Sequence, residues 1–302
     1  MIQIRKSKEF HQAIRWLKEN QRILLVTHQG ADEDGLGAMF GLYHTLKSTG
    51  YRVTPFSNTP ISKSLTSIPG IHLKKSGLPP IHIDGVISLD IGDPNRMDIP
   101  QGLISNPNIS WLNIDHHPQE TPQKGTHWIE TDVSSTSEMV FHLLDEMNFE
   151  IPPHAATALI AGMITDTYHF HHEIHPNTYE VFGELVKRGG DLDGAIERIM
   201  HAQGKEAIQV WGEILGNLTW YQKITFLQAV LEHKDLENLD TPYEELNLGR
   251  LTNLLGHLKE PQIIGFAREF EPDTWKGSFR STNKSQISAR QAAQTFDGGG
   301  HE

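Results

Sequence analysis

The chain contains no cysteine. That absence excludes disulfides, thiolate metal sites and a cysteine nucleophile. Any bound metal is left to oxygen and imidazole donors, a set that suits Mn, Mg, Fe, Co or Zn. Long apolar runs are missing too, and none approaches the roughly 18 residues of a membrane span. The opening Met1-Ile2-Gln3-Ile4-Arg5-Lys6 leads into an amphipathic segment, with no secretory apolar core. Positive charge is scarce: 26 Lys and Arg stand against 38 Asp and Glu, for a net charge of −12. A general binder of long duplex nucleic acid needs a basic face, which this balance disfavours. The expectation is a cytoplasmic enzyme that engages no membrane. At 302 residues, 37% of them hydrophobic, there is room for two domains on a prior of about 150 residues each.

The stretch Trp111-Leu112-Asn113-Ile114-Asp115-His116-His117-Pro118 reads as a short buried strand that stops at an acid and two histidines. Two earlier strand-like runs end in the same way. Residues 23–27 lead into His28, Asp32 and Asp34, and residues 86–89 lead into Asp90. Open α/β sheets carry their ligand groups at the carboxyl ends of strands. Three strands delivering His and Asp to one edge therefore predict a polynuclear metal site.

The pattern around these runs is α/β. Helical spacing over 7–19 and 34–48 alternates with apolar runs at 22–27 and 51–56, a strand–helix–strand unit. Buried parallel strands are expected at 84–89 and 110–114. Helices are predicted over 134–147, 154–166 and from about 176 to Gly189-Gly190. Residues 191–218, containing Trp211, read as a long polar linker helix. Strands at 223–231, 263–270 and 275–281, with helices at 243–258 and 288–296, make a second, smaller α/β domain. The expected organisation is a parallel-sheet domain over 1–190, the linker over 191–218 and the smaller domain over 219–302.

Each polar cluster has two readings. His28-x-x-x-Asp32-x-Asp34 is either a pair of carboxylates aimed at different metals or an acidic helix cap. A free carboxylate at Asp90, directly after a buried strand, is costly unless paired or metal-bound. Asp93 and Arg96 form either an ordinary turn salt bridge or a substrate contact. In Asp115-His116-His117, adjacent imidazoles cannot share one orientation, so one suits metal and the other substrate, with Asp115 orienting a ring. Asp166 is an acid at the end of an apolar helix, where the helix dipole disfavours it. His169, His171, His172 and His175 lack ligand spacing and read as surface residues. Arg280 offers a planar fork for phosphate, and the glycines before His301 permit close backbone approach to a ligand.

Taken in order, these stretches resemble the DHH phosphoesterase superfamily, in its branch of oligoribonucleases (nanoRNases) and pAp phosphatases with a C-terminal DHHA1 domain. The residues that carry the resemblance are His28…Asp32-x-Asp34, Leu89-Asp90 with Asp93 and Arg96, Asp115-His116-His117, Ser135-Thr136-x-Glu138, Thr165-Asp166-Thr167, Phe279-Arg280-Ser281 and Gly298-Gly299-Gly300-His301. The resemblance implies two Mn2+ ions, with Mg2+ or Co2+ as substitutes. His28, Asp32 and Asp90 would hold one, and Asp34, Asp90, His116 and Asp166 the other. His117 would meet the scissile phosphate, with Asp115 behind it. Arg96, Arg280, Ser281, Gly299, Gly300 and His301 would hold the substrate, the C-terminal ones from across an interdomain cleft. The implied substrates are short oligonucleotides (nanoRNA), pAp or dinucleotides, and the implied assembly a homodimer. Two alternatives are a phosphodiesterase for cyclic or linear dinucleotides and a nucleotide-binding module with weakened catalysis. Relatives continue beyond the GGGH loop, so the end at Glu302 reads as a clipped C-terminus.

Overall fold

The computed structural model describes residues 4–298, apart from 60, 62–64, 66–67, 75, 78–81, 98, 119–122, 168–169, 171–174, 202–204, 236–245, 247, 257, 283–286 and 297. Two compact units divide the chain after His201.

The first unit is built on five strands: β1 (Arg22–Val26), β2 (Arg52–Phe56), β3 (Gly85–Leu89), β4 (Ser110–Asp115) and β5 (Thr126–Ile129). They lie in the order β2-β1-β3-β4-β5, all parallel. Around them run α1 (Lys8–Glu19), α2 (Glu33–Ser48), α3 (Gln101–Ile104), α4 (Thr136–Glu146), α5 (Pro153–Asp166), α6 (Pro176–Lys187) and α7 (Leu192–His201). The largely apolar runs of the strands follow from cover on both faces, and the buried polar pair Ser88 and Asn113 is hydrogen-bonded between β3 and β4. Ile23, Leu25, Ile87, Leu89, Leu112 and Ile114 point into the larger core, against α2, α4 and α5. Leu24, Val26, Val86 and Trp111 point the other way, into a thinner layer with Ile91, Ile99 and Ile109. Helix α5 is apolar nearly all round, and Ala155–Ile164 is buried throughout. A helix of that kind has to sit inside a core.

Helices α2 and α5 meet through glycine. A Cβ at Gly37 would lie 2.5 Å from the Ala158 carbonyl oxygen, and one at Gly162 would overlap Ser137 Oγ and come within 2.8 Å of Asp34 Oδ1. Gly162→Ala is expected to cost about 1–3 kcal/mol of stability by overpacking and to displace Asp34. Calorimetric melting with and without a divalent cation tests this. A variant that melts like wild type and keeps its full cation-induced shift would refute it.

The second unit contains α8 (Lys205–Gly216), β6 (Thr219–Tyr221), β7 (Phe226–Leu231), α9 (Leu248–Gly256), β8 (Ile263–Glu271), β9 (Thr274–Ser281) and α10 (Ala289–Gln294). Its sheet runs β6-β7-β8-β9, with only the central β7–β8 pair parallel. Residues 191–218 differ from the expected single linker. Ala195 of α7 is buried in the first unit's core, whereas Ala207, Val210 and Ile214 of α8 belong to the second. The physical reason is the spacing of those three, which lays an apolar stripe along one face of α8 that needs burial. Strands β5 and β6 were not anticipated. Both are short, and neither carries a long apolar run.

Candidate metal centre

Strands β1, β3 and β4 lie side by side and parallel, so their carboxyl ends share one edge. The strand order reverses between β1 and β3, the place where such sheets hold ligands. The residues after these strands, joined by Asp166 from the end of α5, gather there into three sets, and within each set the donor atoms lie within 4.8 Å of one another. The sets are His28, Asp32 and Asp90, then Asp90, His116 and His117, and lastly Asp34, His116 and Asp166.

Asp90 is at the centre. It is buried and carries a φ of +60°, in the left-handed region. Aspartate tolerates that region better than most residues, and strain of this kind collects at functional sites. Its Oδ2 lies 3.7 Å from His28 Nε2, while Oδ1 lies 3.2 Å from His117 Nδ1 and 3.9 Å from His116 Nε2. The Thr136 hydroxyl donates to Oδ1 at 3.4 Å. Burial, and then the charge of Asp32, raises the Asp90 carboxyl above the ordinary range.

His28 faces Asp32 as well, at 3.6 Å from Nε2 to Oδ2. Its Nδ1 lies 2.9 Å from the Gln29 carbonyl oxygen, a contact in which the ring nitrogen would donate. Nε2 is the ring nitrogen that faces the two acids, the position a metal ligand requires. An Arg96 guanidinium nitrogen also approaches His28 Nδ1, at 2.8 Å. Asp93 is occupied elsewhere, since its Oδ1 caps the next turn by accepting from Asn95 N at 2.9 Å. Arg96 therefore stands beside the acid–histidine cluster, a placement its spacing alone did not reveal.

Asp34 has a role that the sequence reading missed. Its two oxygens accept from the backbone N–H groups of Thr136 at 2.7 Å and Ser137 at 2.9 Å, the first residues of α4. A ligand candidate on one helix thus caps another. Burial, and after it the nearby charges of Asp90 and Asp166, drives the Asp34 carboxyl well above its usual range. The serine-rich run 134–137 was the available signal. Ser135 Oγ caps α4 by accepting from Glu138 N at 3.1 Å. Glu138 in turn accepts from Ser134 Oγ at 2.6 Å and Thr178 Oγ1 at 2.9 Å, tying α4 to α6.

The paired histidines divide their work. His116 Nε2 is 3.0 Å from Asp166 Oδ2. Burial opposes its charged form, but Asp166 and Asp34 outweigh burial and raise it to about 9. His117 turns its Nδ1 to Asp115, 2.7 Å away, and that same oxygen accepts from the His117 backbone N–H at 2.9 Å. Burial again opposes the charge, and Asp115 and Asp90 together overcome it, raising His117 to about 11.

Residues 22–163 match the DHH family, N-terminal domain. The chain carries a DHH-family domain. Its similarity to known proteins extends past that domain. The bifunctional oligoribonuclease and PAP phosphatase NrnA of Thermus thermophilus is 25% identical to it over 92% of this chain and 81% of that protein. An exopolyphosphatase-related protein from Bacteroides fragilis has a similar structure, with a TM-score of 0.86 and 24% identity over 97% of this chain and 88% of its own. RecJ of Thermus thermophilus, crystallised with Mn2+, is more distant, with a TM-score of 0.56 and 16% identity over 97% of this chain and 50% of its own. Both structures support the α/β fold.

Arg280 and Ser281 close β9 in the second unit, with Arg280 donating to the Phe279 carbonyl oxygen at 2.9 Å. As neighbours on a strand they project to opposite faces of the sheet. Gly299, Gly300, His301, His169, His171 and His172 fall outside the described residues. His175 caps α6, accepting from Asn177 N at 3.2 Å. Among the described residues no helix is long and apolar enough to cross a membrane.

Proposed function

We propose that the chain is a metal-dependent phosphohydrolase that cleaves short oligonucleotides to mononucleotides and removes a phosphate from pAp. The observation that carries the reading is Asp90, one buried carboxylate whose two oxygens face separate histidine-bearing clusters. The donor set, all carboxylate and imidazole, fits two hard divalent cations, Mn2+ foremost, with Mg2+ or Co2+ as substitutes. His28, Asp32 and Asp90 would hold one. Asp34, Asp90, His116 and Asp166 would hold the other. Such a pair, when bound, activates water and stabilises the attacking and leaving oxygens of an in-line displacement.

The chain's own groups supply the rest. With Nδ1 held by Asp115, the protonated His117 has Nε2–H as its remaining donor, suited to a phosphate oxygen and to the leaving group. Asp115 fixes the ring and its charge. Arg96, beside His28, adds a planar cationic fork for an anionic substrate. Arg280, Ser281, Gly299, Gly300 and His301 are assigned to nucleotide binding by family resemblance. The similarity to NrnA favours short oligonucleotides and pAp as substrates, and the net charge of −12 disfavours long duplexes. The same reading assigns the enzyme to the cytoplasm, where RNA is turned over.

The test is incubation of the full chain with Mn2+ and an RNA dinucleotide, a pentanucleotide, pAp and linear diadenylate. Mononucleotides from the RNAs and phosphate from pAp are expected, both abolished by EDTA. Turnover of diadenylate alone would shift the assignment to dinucleotide hydrolysis. No turnover, with nucleotide still bound, would leave a binding module.

A further inference from the structure

We propose that Thr27 is a positioning residue for Asp90, its hydroxyl holding the carboxylate in the orientation that serves two cations at once. The inference rests on the metal-dependent reading above. Thr27 comes directly after β1 and directly before His28. It is 2% exposed, and its Oγ1 has no hydrogen-bond partner among the described residues. Buried hydroxyls are seldom left that way, because the water they lose is not replaced. A hydroxyl retained in that state at the wall of a reactive site points to a partner gained when the site is filled.

The location identifies the partner. A Cβ built on Gly35 would overlap Thr27 Oγ1 and lie 3.4 Å from Asp90 Oδ2, so hydroxyl and carboxylate flank the same point in the first turn of α2. Glycine at position 35 is what leaves the hydroxyl its space. The opposite oxygen, Asp90 Oδ1, already receives a hydroxyl from Thr136. A bridging carboxylate spends one lone pair of each oxygen on a cation and needs the others fixed by donors. Neutral hydroxyls do this without the repulsion that Lys or Arg would bring to bound cations. Thr136 on one oxygen and Thr27 on the other make a matched pair of such donors.

The test compares full-length wild type with Thr27→Val, which keeps shape and loses the hydroxyl, and Thr27→Ser, which keeps the hydroxyl. Thr27→Ala takes the valine variant's place if that protein does not fold. Mn2+ affinity is measured by calorimetry, the metal-free melt by scanning calorimetry, and kcat and KM on an RNA dinucleotide. Thr27→Val is expected to melt no lower than wild type, yet to bind Mn2+ about tenfold more weakly and lose about tenfold in kcat with KM unchanged, in line with other groups that orient metal ligands. Thr27→Ser is expected to restore both. Wild-type affinity and kcat in Thr27→Val would overturn the proposal, as would a serine variant no better than the valine one. If wild type binds Mn2+ without hydrolysing the dinucleotide, the assigned reaction fails while the affinities still decide the role of Thr27. A wild type that takes up no Mn2+ overturns both.

Discussion

An Asp90→Asn protein is expected to fold at least as well as wild type and to lose its hydrolytic activity. Asparagine is the informative replacement because it accepts the left-handed backbone that Asp90 adopts, whereas alanine adds strain of its own. In the metal-free protein the Asp90 carboxylate is a liability. It is buried, and Asp32 adds like charge, which is why its carboxyl is raised. Removing that charge relieves the cost, so the metal-free melting temperature should hold or rise. With Mn2+ the sign reverses. Both ligand clusters lose a shared donor, the cation-induced rise in melting temperature shrinks, and kcat/KM falls by at least about 10^3-fold, as expected when electrostatic stabilisation at a reacting centre is removed. Paired melts with and without Mn2+, alongside turnover, check this. Activity within tenfold of wild type would remove Asp90 from the centre of the mechanism.

Cation binding near neutrality is expected to release protons, and apparent affinity to climb steeply from about pH 6.5 to about pH 9. His116 is raised to about 9 without a cation, so at pH 7.5 it carries a proton that a metal must displace. Calorimetric titrations in two buffers of different ionisation heat should give close to ~1 proton released per chain from this residue, because ligating groups must be deprotonated. The same shift fixes a stability trend. A group whose folded value is raised above the unfolded one stabilises fully below the unfolded value, about 6.5 for histidine, and loses that contribution as pH rises through the folded value. The metal-free protein should therefore weaken through about pH 9 as His116 titrates, and again towards about 11 as His117 does. Saturating Mn2+ should flatten the first of these steps. A metal-free melting temperature that rises over pH 7–9 would contradict the assignment.

Much of this site was legible in the sequence because strand ends are legible. His28, Asp90 and the Asp115-His116-His117 run each come after a largely apolar stretch, and a parallel sheet has to bring such ends to one edge. The relations between the clusters were not legible in that way. Nothing in the spacing of Asp34 announces that it caps α4, since that bond joins residues over a hundred positions apart. The contact of Arg96 with His28 depends on how the loop after β3 folds back beside the one after β1, where Gln29 N donates to the Arg96 carbonyl oxygen at 2.8 Å. The polarity of the stretch 191–218 hides the apolar stripe of α8. The short strands β5 and β6 were invisible because their residues alternate too briefly to show a period. Composition did settle the donor chemistry, since a chain without cysteine has only oxygen and imidazole to offer a metal.

The three candidate donor sets span residues 28–90, 90–117 and 34–166, and the widest joins α2 to the end of α5. A zinc finger differs, since its ligands lie close together and metal and fold arrive together. A nascent chain of this protein cannot assemble the set of Asp34, His116 and Asp166 until α5 has emerged and docked beside α2. On the proposed reading, apolar packing would have to bring α5 and α2 together before the second cation could load. A cell starved of divalent cations would therefore accumulate folded but inactive protein, a reserve that resupply could switch on without new synthesis.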